Sequence, residues 1–196
     1  MKILICGDSF AADWTVKYAD QMGWPNLLNN KYAVTNLAQA GCSEYKILQQ
    51  VKSADLTKFD AIIVSHTSPY RIYCKEHPFN RTGIHSNADL IYSDLYARSE
   101  DRDVKIALDF FDRYFDLDYA VDISNLICNE ICNFIGLTDI NQFHIVTSDN
   151  IAEYPDLPSY NINSLFKSHR GIMNHLTPDG NNKMFNIVDH WLNTVL

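Results

Sequence analysis

The stretch Lys2-Ile-Leu-Ile-Cys-Gly-Asp-Ser9 decides the fold, because a short apolar run ends here in a turn. A continuous apolar run such as 2–6 is typical of a strand that is buried on both faces of a parallel sheet. Gly7-Asp8-Ser9 predicts a tight turn directly after this strand, stabilised by the side-chain acceptor of Asp8. The segment therefore predicts a parallel strand with Ser9 at its carboxyl end.

Predicted strands and helices alternate along the rest of the chain. Further strands are predicted at 32–38, 59–65 and 143–147, and helices at 13–21, 24–30, 44–52, 103–136 with a break near Asp116, and from Thr177 to about Thr194. The segments 69–100 and 157–170 are predicted to be irregular. Alternation of this kind predicts an α/β fold in one domain, 1–196, with an open, mostly parallel sheet and helices on both faces.

Polar residues and glycine follow several predicted strands at the same edge of this sheet. Ligands of open parallel sheets bind beyond the carboxyl ends of the strands. Ser9, Gly41 and the stretch 66–68 are all predicted there. The long segment 69–100 follows the third strand, and loops of this length often form lids or binding loops.

Composition excludes some classes of function. The 196 residues include 24 acidic and 16 basic side chains, and the net charge of -8 argues against nucleic acid as a partner. The N-terminus lacks a signal-peptide pattern, and no apolar run is long enough for a membrane span, which together predict a cytoplasmic protein. The five cysteines show no paired metal-ligand spacing, so buried free thiols, no metal and no cofactor are expected.

Four separated motifs resemble those of the GDSL/SGNH hydrolase family. They are Gly7-Asp8-Ser9-Phe10, Asn36-Leu-Ala-Gln-Ala-Gly41, the stretch 60–69, and Asn174-His175-Leu-Thr-Pro-Asp-Gly-Asn181. The resemblance implies a three-layer α/β/α fold of the flavodoxin-like kind and a serine esterase without a cofactor. It further implies that Ser9 is the nucleophile, that His175 is the general base, and that the amides of Ser9 and Gly41 belong to the oxyanion hole.

The chain departs from the family pattern at two places. The family's third motif reads Gly-x-Asn-Asp, and its asparagine donates to the oxyanion, whereas this chain has His66-Thr67-Ser68-Pro69. A hydroxyl of Thr67 or Ser68 is a candidate replacement, because each carries one O–H donor. The family also places an aspartate three residues before its histidine, where this chain has Ile172. Either a Ser-His dyad operates or another group orients His175, such as a nearby backbone carbonyl.

Three functions remain open from the sequence. The favoured one is hydrolysis of small O-acyl esters, with acetyl groups on carbohydrates as one candidate class. The alternatives are an O-acyltransferase and a binding protein that retains the fold without catalysis. His66 and Arg71 are candidates for lining the substrate pocket. The alternative for each is equally favoured: His66 as an ordinary histidine at a strand end, and Arg71 as an ordinary surface arginine. The oligomeric state is not predicted.

Overall fold

Five parallel strands form the central sheet of the computed structural model, which describes residues 1–146 and 157–195. The strand order is β2-β1-β3-β4-β5, as in flavodoxin-like folds. These strands are β1 (Lys2–Gly7), β2 (Ala33–Asn36), β3 (Ala61–Ser65), β4 (Asn141–Val146) and β5 (Ser159–Asn161). A further short strand, β6 (Arg170–Met173), lies outside this sheet and makes isolated bridges with Leu176. The helices are α1 (Trp24–Asn29), α2 (Glu44–Ser53), α3 (Tyr92–Tyr96), α4 (Arg102–Tyr114), α5 (Leu117–Gly136), α6 (Asn163–Ser168) and α7 (Pro178–Val195).

The apolar run of β1 is buried on both sides, which confirms its predicted place inside the sheet. Ile3 and Ile5 pack with residues of α1 and α7 in one core cluster. Leu4 and Cys6 face the opposite side and pack with residues of α2 and α5 in a second cluster. Because successive side chains of a strand point to opposite faces, only a continuous apolar run satisfies both layers.

Local capping signals set two helix boundaries that the sequence predicts. The Asp116 side chain accepts a hydrogen bond from the Tyr119 amide and caps α5, which separates it from α4. The Thr177 hydroxyl accepts from the Gly180 amide at 3.2 Å at the start of α7. A side-chain acceptor at the N-cap satisfies one of the backbone donors that a helix start leaves unpaired.

Two predicted segments are wrong, and the predicted end of one strand is outside the described residues. The stretch 13–21 contains only a 3-10 turn, Trp14–Val16, which the Asp13 carboxylate caps through the Thr15 amide. Trp14 is the only buried residue of this stretch, so a longer helix would have no apolar face to pack. The stretch 157–170 is not irregular but contains β5, α6 and the start of β6. Backbone pairing with β4 orders this polar edge strand, which has no apolar periodicity to reveal it. Thr147, the predicted last residue of the fourth strand, is not described.

The segment 69–100 is mostly irregular, as predicted, but it is anchored to the sheet edge. An antiparallel bridge joins Ile72 to Leu90, and α3 follows. Asp89 is fully buried and its carboxylate accepts hydrogen bonds from the amides of Ser43, at 2.7 Å, and Cys74, at 2.9 Å. No helix among the described residues has the length and apolar character that a membrane crossing requires.

Candidate active site

Ser9 lies in a turn at the carboxyl end of β1, where close packing requires glycine before it. A Cβ atom on Gly7 would lie 2.6 Å from the Ser65 Cβ, so no larger residue fits between β1 and β3 at this point. The Asp8 carboxylate accepts from the Phe10 amide at 3.0 Å and closes the turn. Ser9 is buried, with 5% of its surface exposed.

His175 meets Ser9 from the opposite end of the chain. Its Nε2 lies 2.7 Å from the Ser9 Oγ, across 166 residues of sequence. Asn174 and His175 both adopt left-handed backbone conformations, with φ of 49° and 60°. Such conformations cost about 1–3 kcal/mol each and persist only where surrounding contacts impose them.

The buried Asn174 side chain supplies those contacts. Its Nδ2 donates to the carbonyls of Ser9, at 3.3 Å, and Ala12, at 2.9 Å. The same residue therefore fastens the His175 loop to the Ser9 turn. These hydrogen bonds explain why the motif that contains Ser9 and the motif that contains His175 lie together.

The His175 imidazole is unprotonated at neutral pH. Burial lowers the pKa of its imidazole to about 4, and the positive charge of Arg71 acts in the same direction. The ring is therefore neutral near pH 7, and Nε2 is within hydrogen-bonding distance of the Ser9 hydroxyl. A histidine in this state can serve as a general base.

We expect the acid limb of the pH profile of kcat/KM to fall near pH 4. If His175 is the base of a reaction at Ser9, its protonation removes that base, so activity is lost as the pH falls through the lowered pKa and is retained at pH 5. Direct measurement of acetate released from an acetyl ester between pH 3.5 and 8 tests this, with a buffer blank at each pH. An acid limb near the ordinary histidine pKa of about 6.5 would contradict it.

No hydrogen bond or ion pair joins a carboxylate to His175 among residues 1–146 and 157–195. Ile172, three residues before His175, is an apolar side chain that is 56% exposed. Asp179 is engaged elsewhere, at 3.1 Å from Lys183 Nζ and 3.3 Å from His169 Nδ1. The geometry of the described residues is that of a Ser-His pair without an orienting acid.

The third motif lies beside Ser9, and its two hydroxyls have different partners. Thr67 donates its hydroxyl proton to Asp8 at 3.0 Å and its amide to Glu44 at 3.0 Å. Since a hydroxyl carries a single proton, this arrangement disfavours Thr67 as the oxyanion donor. Ser68 is half-buried and its Oγ accepts weakly from the Tyr70 amide at 3.4 Å, which leaves its own proton available.

Asp8 is a buried acid of the turn, not a partner that is positioned to activate Ser9. Burial raises the pKa of its carboxyl to about 6, while the Phe10 amide and the charge of Arg71 oppose that rise. The Ser9 Oγ is 3.5 Å from Asp8, much farther than from His175. The predicted turn-stabilising role of Asp8 agrees with these contacts.

His66 does not line a substrate pocket, which corrects the prediction made from its place at the strand end. Its ring is fully buried, with Nδ1 2.6 Å from Glu44 and Nε2 2.9 Å from His144 Nδ1. Burial lowers the pKa of His144 to about 3, so this second ring is neutral. Hydrogen bonding to two buried partners, not access to solvent, determines the position of His66.

The same buried group contains atoms that could bind a metal ion. Donor atoms of Glu44, His66 and Cys128 all lie within 4.8 Å of one another, and all three residues are buried. The cysteine spacing does not reveal this cluster, because its members come from α2, the end of β3 and α5. The close contact of Glu44 with His66 already accounts for the arrangement as a hydrogen bond.

Gly41 and Arg71 are neighbours at the sheet edge, and their predicted roles remain predictions. Gly41 has a φ of +81°, and its carbonyl accepts from the Asp89 amide at 2.8 Å and from Arg71 Nη1 at 3.3 Å. Glu44 and Asp89 are buried acids that hold this edge together, and no sequence motif points to either of them. Only their tertiary contacts distinguish them from other acidic residues.

Comparison with solved structures places the fold among known α/β proteins. The chain aligns over 99% of its length, and over 87% of the other chain, with a Bacteroides fragilis protein provisionally named an acylhydrolase. The TM-score is 0.53 and the sequence identity is 10%, so the likeness concerns the fold. No family model matches the chain. No curated protein matches it either.

Proposed function

We propose that this protein is a serine ester hydrolase of the GDSL/SGNH type. The contact of 2.7 Å between Ser9 Oγ and His175 Nε2 carries the proposal. A serine and a neutral imidazole at this distance form the nucleophile–base pair that acyl transfer requires. The acylhydrolase name of the Bacteroides protein with a similar fold supports the same class of reaction.

In the proposed reaction, His175 Nε2 takes the Ser9 proton while Oγ attacks the ester carbonyl. The amides of Ser9 and Gly41 stabilise the tetrahedral oxyanion, together with the hydroxyl of Ser68. Collapse of the tetrahedral intermediate expels the alcohol, which receives the proton from the His175 imidazolium. Water then attacks the acyl-enzyme with His175 as base and releases the acid and Ser9.

None of the carboxylates in the described residues bonds to His175, and this affects the expected rate. A carboxylate beside a catalytic histidine fixes the tautomer and stabilises the imidazolium. A buried imidazole without one develops its positive charge less easily, so we expect modest turnover. The substrates proposed are small O-acyl esters, including acetylated carbohydrates, in the cytoplasm.

Two measurements test the proposal directly. The protein is expected to release 4-nitrophenol from 4-nitrophenyl acetate, and a fluorophosphonate probe is expected to modify Ser9, located by digestion and mass spectrometry. Turnover without a Ser9 adduct would place the nucleophile elsewhere. Adduct formation at Ser9 without net hydrolysis, but with acyl transfer to an added alcohol, would favour the acyltransferase instead.

Ser68→Ala is expected to lower kcat for 4-nitrophenyl acetate about 10²–10³-fold, as loss of one oxyanion donor does. KM should change little, because the hydroxyl is proposed to act on the developing oxyanion. Thr67→Val is the comparison, since the Thr67 proton is used by Asp8. A Ser68→Ala protein within about threefold of wild type would remove Ser68 from the oxyanion hole.

A further inference from the structure

Glu44 lies in the first turn of α2, yet it is almost completely buried, with 4% of its surface exposed. An acidic residue at the start of a helix usually remains in solvent, where it interacts favourably with the helix dipole. No Lys or Arg nitrogen of residues 1–146 and 157–195 lies within 4.0 Å of its carboxylate. Neither its place in the helix nor an ion pair with Lys or Arg therefore explains why Glu44 is buried.

The Glu44 carboxylate instead bonds two consecutive residues at the end of β3. Its Oε1 lies 2.6 Å from His66 Nδ1, and its Oε2 accepts from the Thr67 amide at 3.0 Å. A buried polar group that loses its partners is costly, so these bonds restrict the backbone strongly. Ser68 follows directly, and its position therefore depends on where Glu44 holds Thr67.

The same carboxylate connects the two segments that carry proposed oxyanion donors. Glu44 follows Gly41 by three residues, and Thr67 immediately precedes Ser68. Gly41 comes after β2 and Ser68 after β3, and β1 lies between these two strands in the sheet. The bond from Glu44 to the Thr67 amide thus joins the two segments on either side of the strand that ends at the Ser9 turn.

The Thr67 side chain extends this connection to the Ser9 turn itself. Its hydroxyl donates to one oxygen of Asp8 at 3.0 Å, and the other Asp8 oxygen accepts from the Phe10 amide at 3.0 Å. Glu44, Thr67 and Asp8 are all buried. Hydrogen bonds inside a protein compete little with water, so a continuous buried network of this kind fixes the relative positions of its members.

We infer that Glu44 is a positioning residue, which holds Ser68 at the distance from Gly41 and Ser9 that a tetrahedral oxyanion requires. It acts through the Thr67 amide, since its own oxygens are occupied by His66 and Thr67. Oxyanion stabilisation depends on donors that are fixed before the reaction, and a misplacement of about 1 Å can cost about 10²-fold in rate. The inference rests on the proposed function, because an oxyanion forms only if Ser9 attacks an ester.

Two substitutions of Glu44 separate the reach of its side chain from its charge. Glu44→Asp keeps the carboxylate but is one methylene shorter, so it cannot bond both His66 and Thr67, and kcat for 4-nitrophenyl acetate should fall about 10–10²-fold. Glu44→Gln keeps the length, and its amide can accept from Thr67 and donate to a neutral His66 ring, so kcat should stay within about threefold. KM should change little in either variant, because the oxyanion forms after binding. A role that depended on the charge would give the opposite order of kcat values and would overturn the inference.

Glu130→Asp is the matched control, because it makes the same substitution at an exposed acid of α5 that pairs with Lys52. It should leave kcat and KM unchanged. Urea unfolding curves show whether each protein is folded. A folded Glu44→Gln protein with a loss of more than about tenfold in kcat would overturn the inference even if Glu44→Asp did not fold.

Hydrogen exchange measures the proposed bond without reference to activity. The Thr67 amide, followed by NMR, should exchange faster with solvent in Glu44→Asp than in wild type, and at the wild-type rate in Glu44→Gln. A fall in kcat for Glu44→Asp with unchanged exchange at Thr67 would show that Glu44 acts by another route and would overturn the inference.

A double variant tests whether Glu44 acts through Ser68. The kcat of Glu44→Asp/Ser68→Ala should lie within about threefold of that of Ser68→Ala, because an effect on a donor disappears when the donor is removed. A loss equal to the product of the two single losses would overturn the inference, and so would a Ser68→Ala protein with wild-type kcat.

The wild-type protein separates failure of this inference from failure of the proposed function. A wild type that neither hydrolyses 4-nitrophenyl acetate nor reacts with the fluorophosphonate probe at Ser9 would overturn both. An active, labelled wild type together with a folded Glu44→Asp protein within about threefold of its kcat would overturn the positioning role and leave the hydrolase intact.

Discussion

Ser9→Ala is expected to lower kcat for 4-nitrophenyl acetate by about 10⁴–10⁶-fold, because the residues of a nucleophile–base unit fail together when one is removed. The Ser9 Oγ makes its short contact with His175, so the variant also leaves the imidazole without its partner. Stability should change by no more than about 1 kcal/mol, the value of one ordinary hydrogen bond. Initial rates and a urea unfolding curve measure the two effects separately.

The control for this variant is Ser164→Ala, which replaces an exposed serine of α6. It should retain wild-type activity and full labelling by the fluorophosphonate probe, whereas Ser9→Ala should lose both. Retention of more than about one tenth of wild-type activity by a folded Ser9→Ala protein would show that another residue attacks the ester.

His175→Ala is the second change with a large expected effect. Without Nε2 of His175 the Ser9 hydroxyl loses the base that lies 2.7 Å from it, so kcat should fall by about 10⁴-fold or more. Asp179→Asn is the matched comparison, because Asp179 is the nearest acid in sequence and could be a displaced triad member. It should stay within about tenfold of wild type, since its carboxylate pairs with Lys183 and His169 on the surface.

The comparison of these two variants decides between a dyad and a hidden triad. Equally deep losses in two folded proteins would show that Asp179 acts through His175, and the dyad would be wrong. Imidazole added to His175→Ala should restore part of the activity, because the removed side chain leaves space beside Ser9. No such restoration is expected for Ser9→Ala, which lacks the nucleophile itself.

The central sheet and most helices could be predicted because local signals specify them. The apolar run 2–6 predicts a buried strand, and β1 confirms it. Asp116 and Thr177 mark helix starts through hydrogen bonds to residues three positions away. The stretch 13–21 was predicted incorrectly because only Trp14 in it is buried, so tertiary packing does not stabilise a longer helix there.

For the candidate site, too, some residues belong to short local motifs, whereas others are placed by hydrogen bonds between residues far apart in the sequence. Ser9, Gly41, Thr67, Ser68 and His175 could be named as candidates because the short motifs around them resemble those of the GDSL/SGNH family or stand in their place. The sequence could not reveal that the Thr67 hydroxyl donates its proton to Asp8, or that Glu44 forms a hydrogen bond with the buried His66 ring. Those bonds join residues 59 and 22 positions apart, and no local pattern records them.

The sequence by itself determined the parallel sheet, the serine turn and the capped final helix, because hydrophobic periodicity and capping act over a few neighbouring residues. Tertiary structure alone decided how His175 reaches Ser9, since Asn174 must bond carbonyls more than 160 residues away to hold that loop. Hydrogen-bond satisfaction depends on every element that packs around an atom, and a linear pattern of residues does not contain that information.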